Sequence, residues 1–380
     1  MRTAVTSVGA VLDDVQHGLH TSAAVAGLLT TLPVLCFAAL GSITPALGRR
    51  YGLHRLLVAS IVVMTAGMLA RVFVGSAAAF LLLSIPALAG GAAANVLLPP
   101  LVKLHFPHRI GTMTAIYTTA LAVGTTAAAG LTVPLGSVGD GWRTGLGSWA
   151  LLSALAVLPW LPTLRHDRPA DRDRDRIGAR HLLRSPTAWM LTIFFGFQSA
   201  QAYIAFGWFA TFLRDHGQAA DTAGAMVAVL AAVTIPTSMV VPRIPARHHR
   251  GTILALAGCY VVAYAGMAVA PAGGAWLWMV LTGIGSSSFP LALTMIGLRS
   301  RSADVTTSLS AFTQSIGYVL AGSGPLLFGV LHSASGSWGL PLALLFAMTA
   351  IMTVAGMLAG RPRYVEDEIG AGLTAAAAAR

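Results

Sequence analysis

Residues 165–184 read RHDRPADRDRDRIGARHLLR, with seven arginines and four aspartates in twenty positions. The rest of the chain avoids charge. Of its 380 residues 56% are hydrophobic and only 10% charged, whereas a soluble domain carries about a quarter charged residues. On either side of the stretch lie long runs of Ala, Leu, Val and Gly. A polar connector between two apolar halves is the arrangement of a polytopic membrane protein.

A helix needs about 20 apolar residues to cross a hydrocarbon core of about 30 Å. By that measure the sequence predicts eleven full spans: 23–40, 56–74, 77–102, 112–134, 148–164, 188–213, 223–241, 252–270, 275–298, 308–331 and 340–358. A short twelfth, 1–12, precedes them and ends at Asp13-Asp14. Twelve helical residues rise only about 18 Å, so the reading is a truncated first span, with roughly ten further apolar residues expected before Met1.

Basic residues set the orientation. With 165–184 on the cytoplasmic side and the loops alternating, 20 of the 24 Lys and Arg fall inside, while Arg71, Arg143 and Arg214 fall outside and Arg2 sits in a span. The formal net charge of +11 therefore serves topology, and nucleic acid is excluded as a partner. The expected organisation is a six-helix bundle at 1–164, a cytoplasmic linker at 165–184, a second six-helix bundle at 185–360 and a cytoplasmic tail at 361–380. Both termini lie inside a multi-pass protein of the cell's (inner) membrane, expected to be a monomer in the lipid bilayer. Two such halves frame a central substrate cavity. The fourth and tenth spans match in polar residues and prolines (Asn95, Pro99, Pro100; Ser286–Ser288, Pro290). The fifth and eleventh match in spaced glycines (Gly124, Gly130; Gly317, Gly322, Gly324). Cys36 and Cys259 lie in separate apolar runs and read as buried thiols without a disulfide.

The loop after the second span reads GSITPALGRRYG from Gly41 to Gly52. It resembles the loop signature of the major facilitator superfamily. Gly41, Gly48, Arg49 and Arg50 fit that conformational-loop motif, and Pro45 and Ala46 stand where the family has Asp and Arg. The resemblance implies that the usual aspartate's contact to a neighbouring helix is absent or replaced here. A finer resemblance, to the cyanate transporter and 2-nitroimidazole transporter branch, is carried by RTAVTSVG from Arg2, AGLLTTLPVLCFAALG from Ala26, NVLLPPLVKLHFP from Asn95, YTTAL from Tyr117, SSSFPLALTMIGLRSR from Ser286 and QSIGYVLAGSGPLLFGVLH from Gln314. It implies an all-α membrane protein of the major facilitator fold, with twelve transmembrane helices as two pseudo-symmetric bundles of six.

No acidic residue or histidine falls in mid-span, so the proton relay of a pump has no carboxylate to use. Arg2, placed near mid-membrane once the first span is completed, is a candidate to hold negative charge through its five donors; the alternative is a frayed terminus reaching water. Thr6 is four residues on, on the same face. Arg71 reads as an interface residue reaching outward to water, or alternatively as part of a positive vestibule. Gln198 and Gln201 share a face of the seventh span, followed by Tyr203 and Trp208. Either they line the cavity or they make packing hydrogen bonds. Asn95, Tyr117, Thr118, Gln314 and Tyr318 complete the candidate substrate-binding set. The central DRDRDR run reads as a solvated loop, and EDEIGAGLTAAAAAR in the tail is given no role. No catalytic residue, metal ligand set or cofactor motif is expected, and the chain does not read as an enzyme. The expected function is secondary transport of a small polar or anionic organic solute by alternating access, with cyanate-like, nitroimidazole-like and carboxylate compounds as the classes in view. An exporter of a toxic small molecule and a non-transporting membrane receptor remain the alternatives.

Overall fold

The computed structural model describes residues 3–19, 23–167 and 179–369. Arg2 and the DRDRDR run lie outside the described residues. Every element among those described is helical, as it must be where lipid offers backbone amides no partner and only a helix or closed barrel satisfies them.

Two short helices open the chain, α1 (Thr3–Ala10) and α2 (Leu12–Gly18). Next come α3 (Ala23–Tyr51), α4 (Leu53–Ala70), α5 (Ala77–His105), α6 (Ile110–Gly136) and α7 (Trp142–Leu155), the last continued by a 3-10 stretch, Leu158–His166. After the single turn α8 (Ala179–Leu182) follow α9 (Pro186–Asp215), α10 (Ala220–Val240), α11 (His249–Val269), α12 (Ala275–Gly285), α13 (Ser288–Leu298), α14 (Ala303–Ser335) and α15 (Gly339–Ala359). A last helical turn covers 365–369. Among the described residues ten stretches are long and apolar enough to cross a membrane: α3 to α7, α10, α11, the α12–α13 pair, α14 and α15. Helix α9 has 30 residues and is not among the ten. Its Gln198, Ser199, Gln201 and Tyr203 dilute an otherwise apolar sequence. Phe73, Leu82, Leu151, Val269 and Leu326 are exposed on outer faces, where acyl chains would cover them.

The tenth span, expected as one helix, is broken at Ser286-Ser287. The Ser286 hydroxyl donates back to the Thr282 carbonyl (2.9 Å) and Ser288 to Gly285 (2.9 Å). Such back-bonding loosens a helix, and Pro290 brings no amide hydrogen to repair it.

By internal packing the chain forms two units, Met1–Leu101 with Val123–Arg176, and Val102–Ala122 with Ile177–Arg380. In the first unit, Leu57, Ile61, Met64 and Met68 of α4 pack with Ala87, Ala94 and Leu97 of α5 and with Trp149 of α7. Glycine permits the approach: a Cβ on Gly67 would lie 2.5 Å from the Ala87 nitrogen. The α3–α4 turn is held from far along the chain. Asp167 accepts from the amides of His54 (3.1 Å) and Arg55 (2.7 Å) and lies 2.7 Å from His54 Nδ1. Gly52, at φ 92°, leaves room for that carboxylate, since a Cβ there would sit 2.6 Å from Asp167 Oδ2. The carboxylate caps the first turn of α4. Asp167→Ala is expected to cost about 1–2 kcal/mol, read as an apparent melting temperature lower by a few degrees, with Asp167→Asn retaining part of the loss.

In the second unit α9 is the central helix, packed against α10, α13, α14 and α15. It starts at Ser185, whose hydroxyl accepts from the Ala188 amide, with Pro186 at the first helical position. The tail contradicts the expectation that it has no role. Glu368 accepts from the hydroxyls of Ser185 (2.5 Å) and Thr187 (2.6 Å) and from the Thr187 amide (3.1 Å). Glu366 accepts from the Arg301 amide (2.6 Å), Asp367 pairs with Arg301, and Val365 is fully buried. The sequence showed these acids as a charge run, and folding turns them into helix caps.

Candidate functional site

In the first unit, α1 carries Thr6, which is half-buried, and α5 carries Asn95, which is buried. Arg71, at the end of α4, does not reach outward to water. It is 0% exposed, and both terminal nitrogens donate to the Ala4 carbonyl of α1, each at 3.3 Å. Its guanidinium also lies 5.7 Å from the centre of the Phe80 ring. The expectation of an interface residue is therefore corrected: a carbonyl and an aromatic face inside the unit outcompete the path to water. Gly41 and Gly48 are buried at the end of α3, and Arg49 and Arg50 are exposed there, Arg50 against the Tyr51 ring. The stretch expected as a loop is helical to Tyr51 and contains no aspartate; the carboxylate that binds the α3–α4 turn is Asp167.

In the second unit Gln198 and Gln201, one turn apart on α9, are both buried and have different surroundings. Gln201 Oε1 accepts from Tyr264 (3.1 Å) and Thr349 (2.8 Å), and its amide donates to the Phe197 carbonyl (3.3 Å). It ties α9 to α11 and α15. Gln198 donates to Ser199 (2.5 Å), and its carbonyl oxygen is buried without a partner. Gln314 donates to Ser310 (2.8 Å) on α14. Tyr318, also on α14, sets its ring edge-on to Phe195, 5.2 Å between centres. Phe195 is one turn from Gln198, so these two candidates meet through α9. Thr118 spends its hydroxyl on the Thr114 carbonyl (2.7 Å). Beside Thr114, the Tyr117 hydroxyl is buried without a hydrogen bond of ordinary geometry. Tyr203 lies on α9, half-buried. Trp208 turns to Phe328 and Trp338 at the far end of α9. There, with Pro325 and Gly329, it borders an open apolar groove of about 590 Å³ that none of the polar candidates lines.

More buried hydroxyls without partners accompany Gln198: Ser287 at the α12–α13 break and Thr313 and Ser315 on α14. Buried polar groups are nearly always hydrogen-bonded. A group of them left half-satisfied on helices that pack together is what a polar ligand would complete. Tyr260, which shares a hydrogen bond with Ser286 (3.2 Å), and Tyr264, stacked on it, belong to this polar interior. Sequence reasoning missed both, although two tyrosines four apart in an apolar span were a visible signal. Apart from Asp13 and Asp14 in α2, every described carboxylate stands at a helix end or in a connector.

The chain superposes on the proton:xylose symporter XylE with a TM-score of 0.71, covering 97% of this chain and 95% of that one at 13% identity. In sequence it is 39% identical to the uncharacterized transporter YycB of Bacillus subtilis (strain 168), over 96% of this chain and 92% of the relative. It is 34% identical to the 2-nitroimidazole transporter of Escherichia coli (strain K12), over 96% and 93%. With the cyanate transport protein CynX of the same bacterium it shares 27%, over 89% and 88%. The model of the Major Facilitator Superfamily matches residues 1–322. Apolar helices long enough to span, polar groups withdrawn into their packed interior, and these likenesses converge: the chain belongs to the Major Facilitator Superfamily of membrane transporters.

Proposed function

We propose that this chain works as a monomeric secondary transporter of twelve spans, with bundles 1–164 and 185–360, a cytoplasmic linker at 165–184 and both termini cytoplasmic in the cell's inner membrane. It moves a small polar or anionic organic solute by alternating access. The observation that carries the reading is the set of half-satisfied polar groups of α9, α14 and the α12–α13 break, with no buried carboxylate beside them among the described residues. Gln198, Gln314, Tyr318 and Tyr117 orient the solute, and Thr6, Thr118, Asn95, Tyr203 and Arg2 are the further candidate contacts read from the sequence. Gln201 positions α9 through Tyr264 and Thr349. The names of two relatives, transporters of 2-nitroimidazole and cyanate, support a small planar cargo. With no carboxylate in mid-span, the modes that remain are facilitated diffusion, exchange, and co-transport of a proton carried by the solute itself.

The test is uptake by proteoliposomes of labelled cyanate, 2-nitroimidazole and benzoate. Wild type is expected to exceed empty vesicles for at least one of them. Gln198→Ala is expected to lower that uptake about tenfold, the cost of one buried hydrogen bond to the solute. If no solute of this panel moves, or if Gln198→Ala transports as well as wild type, the assignment fails at the function or at the site respectively.

A further inference from the structure

We propose that Arg71 and Ser7 form an anion subsite inside the first unit, built for a small planar oxyanion such as a carboxylate. The inference deepens the transport reading and rests on it for its purpose.

Among the described residues, one buried charge in the first unit has no counter-ion. Arg71 is fully buried, and an arginine side chain keeps its proton. Burying an ion without a counter-ion costs several kcal/mol. Among the described residues the ion pairs are His54–Asp167 and Arg301–Asp367, so no described carboxylate reaches Arg71. Asp14 of α2 and Asp140 of the α6–α7 connector are both exposed.

What compensates the guanidinium is thin. One carbonyl, Ala4, is shared by two nitrogens at 3.3 Å each, longer than the roughly 2.7–2.9 Å of a good charge-assisted bond. The Phe80 face adds a cation–π contact at 5.7 Å. Nε is buried with no acceptor. One turn beyond Ala4 on α1, the Ser7 hydroxyl is likewise buried with no partner. A guanidinium edge with an idle Nε and an idle hydroxyl on the adjoining helix are matched by a ligand with two coplanar oxygens. One oxygen pair takes the fork, and the hydroxyl takes a remaining lone pair.

A second cation lies on the way. Arg143 is half-buried and sits 4.5 Å over Trp142, whose ring packs edge-on to Phe80 at 5.9 Å. Arg143 and Arg71 therefore bracket one aromatic pair, and their field draws anions toward the buried member. The site is sealed in the conformation described. Movement of α1 away from α4 would open it, which is the kind of step alternating access requires.

The test uses the purified full chain. Apparent melting temperature is followed against benzoate and nitrate, with benzamide as the neutral control. Wild type is expected to be stabilised in a saturable way by the anions and not by benzamide. Arg71→Lys keeps a cation without the fork and is expected to weaken anion binding at least tenfold; Ser7→Ala is expected to weaken it about threefold to fivefold. Both are milder than Arg71→Gln, so the test does not depend on that variant folding. An anion shift missing in wild type, or unchanged in both variants, overturns the proposal. Anion transport that survives Arg71→Lys intact removes the subsite and leaves the transporter. Arg71-dependent anion binding without transport of any solute keeps the subsite and removes the transport reading.

Discussion

Gly317→Leu is expected to leave no monodisperse folded protein, whereas Gly207→Leu, in the partner helix, is expected to be tolerated. A Cβ on Gly317 would lie 2.6 Å from the Phe195 ring. That ring cannot retreat, because it is 0% exposed and wedged against Tyr318 (5.2 Å) and Phe289 (5.9 Å). The same seam is tight above and below. A Cβ on Gly324 would meet the Ala200 Cβ at 2.8 Å, and one on Gly196 would meet Leu320 at 3.0 Å. Around Gly207 nothing lies within 4 Å. In lipid two helices gain nothing from hiding apolar surface, since their surroundings are equally apolar, and close packing of small residues holds them together. One methyl forced into such a seam costs about 1–3 kcal/mol, and leucine brings three more carbons. Fluorescence-detected size exclusion reads the outcome: Gly317→Ala should elute as a folded peak with a lowered melting temperature, and Gly317→Leu should aggregate. A Gly317→Leu protein that melts like wild type would show that α9 and α14 are not held by this contact.

The seam also shows what sequence could and could not reveal. Apolar runs of about 20 residues mark spans unaided, because lipid permits little else. Nine of the eleven full spans expected from the sequence fall on a single α-helix; 275–298 is split into α12 and α13, and 148–164 runs from α7 into a 3-10 stretch. The break at Ser286-Ser287 was hidden, because serines in a span read as polar lining before they read as helix-loosening groups. Gly317 and Gly324 were visible as spaced glycines, yet their partners Phe195 and Ala200 lie more than a hundred positions away. Gln201 was ambiguous for the same reason: its partners Tyr264 and Thr349 stand 63 and 148 residues further on. Arg71 misled because an arginine at a span end usually reaches water, and only the fold brings the Ala4 carbonyl within reach. For the glycines, Gln201 and Arg71 what stayed illegible was a long-range partner, which composition and spacing do not encode.

Glu368→Ala is expected to lower the apparent melting temperature more than any other single change in the tail. The Glu368 carboxylate accepts three hydrogen bonds, from the Ser185 and Thr187 hydroxyls and the Thr187 amide, at the positive end of the dipole of α9. Ser185 is itself the cap of that helix, accepting from the Ala188 amide at 3.1 Å. Losing the carboxylate therefore frees the cap as well. Bonds to a charged acceptor contribute about 1.5–3 kcal/mol each when well placed. Glu368 is half-exposed, so roughly 3 kcal/mol in all is the expected loss, a shift on the order of 5 °C. Glu368→Gln keeps an acceptor and should recover about half. Two residues earlier Glu366 takes the amides of Arg301 and Ser302 at the start of α14. Arg299 meanwhile donates to the Ala359 and Gly360 carbonyls at the end of α15. One short acidic turn following α15 thus ties the starts of α9 and α14 together, and a bundle that rocks as proposed needs such ends to move as a block. Glu366→Ala combined with Glu368→Ala should therefore lower transport as well as stability. A double variant with wild-type melting and uptake would show that these caps hold nothing the bilayer does not already hold.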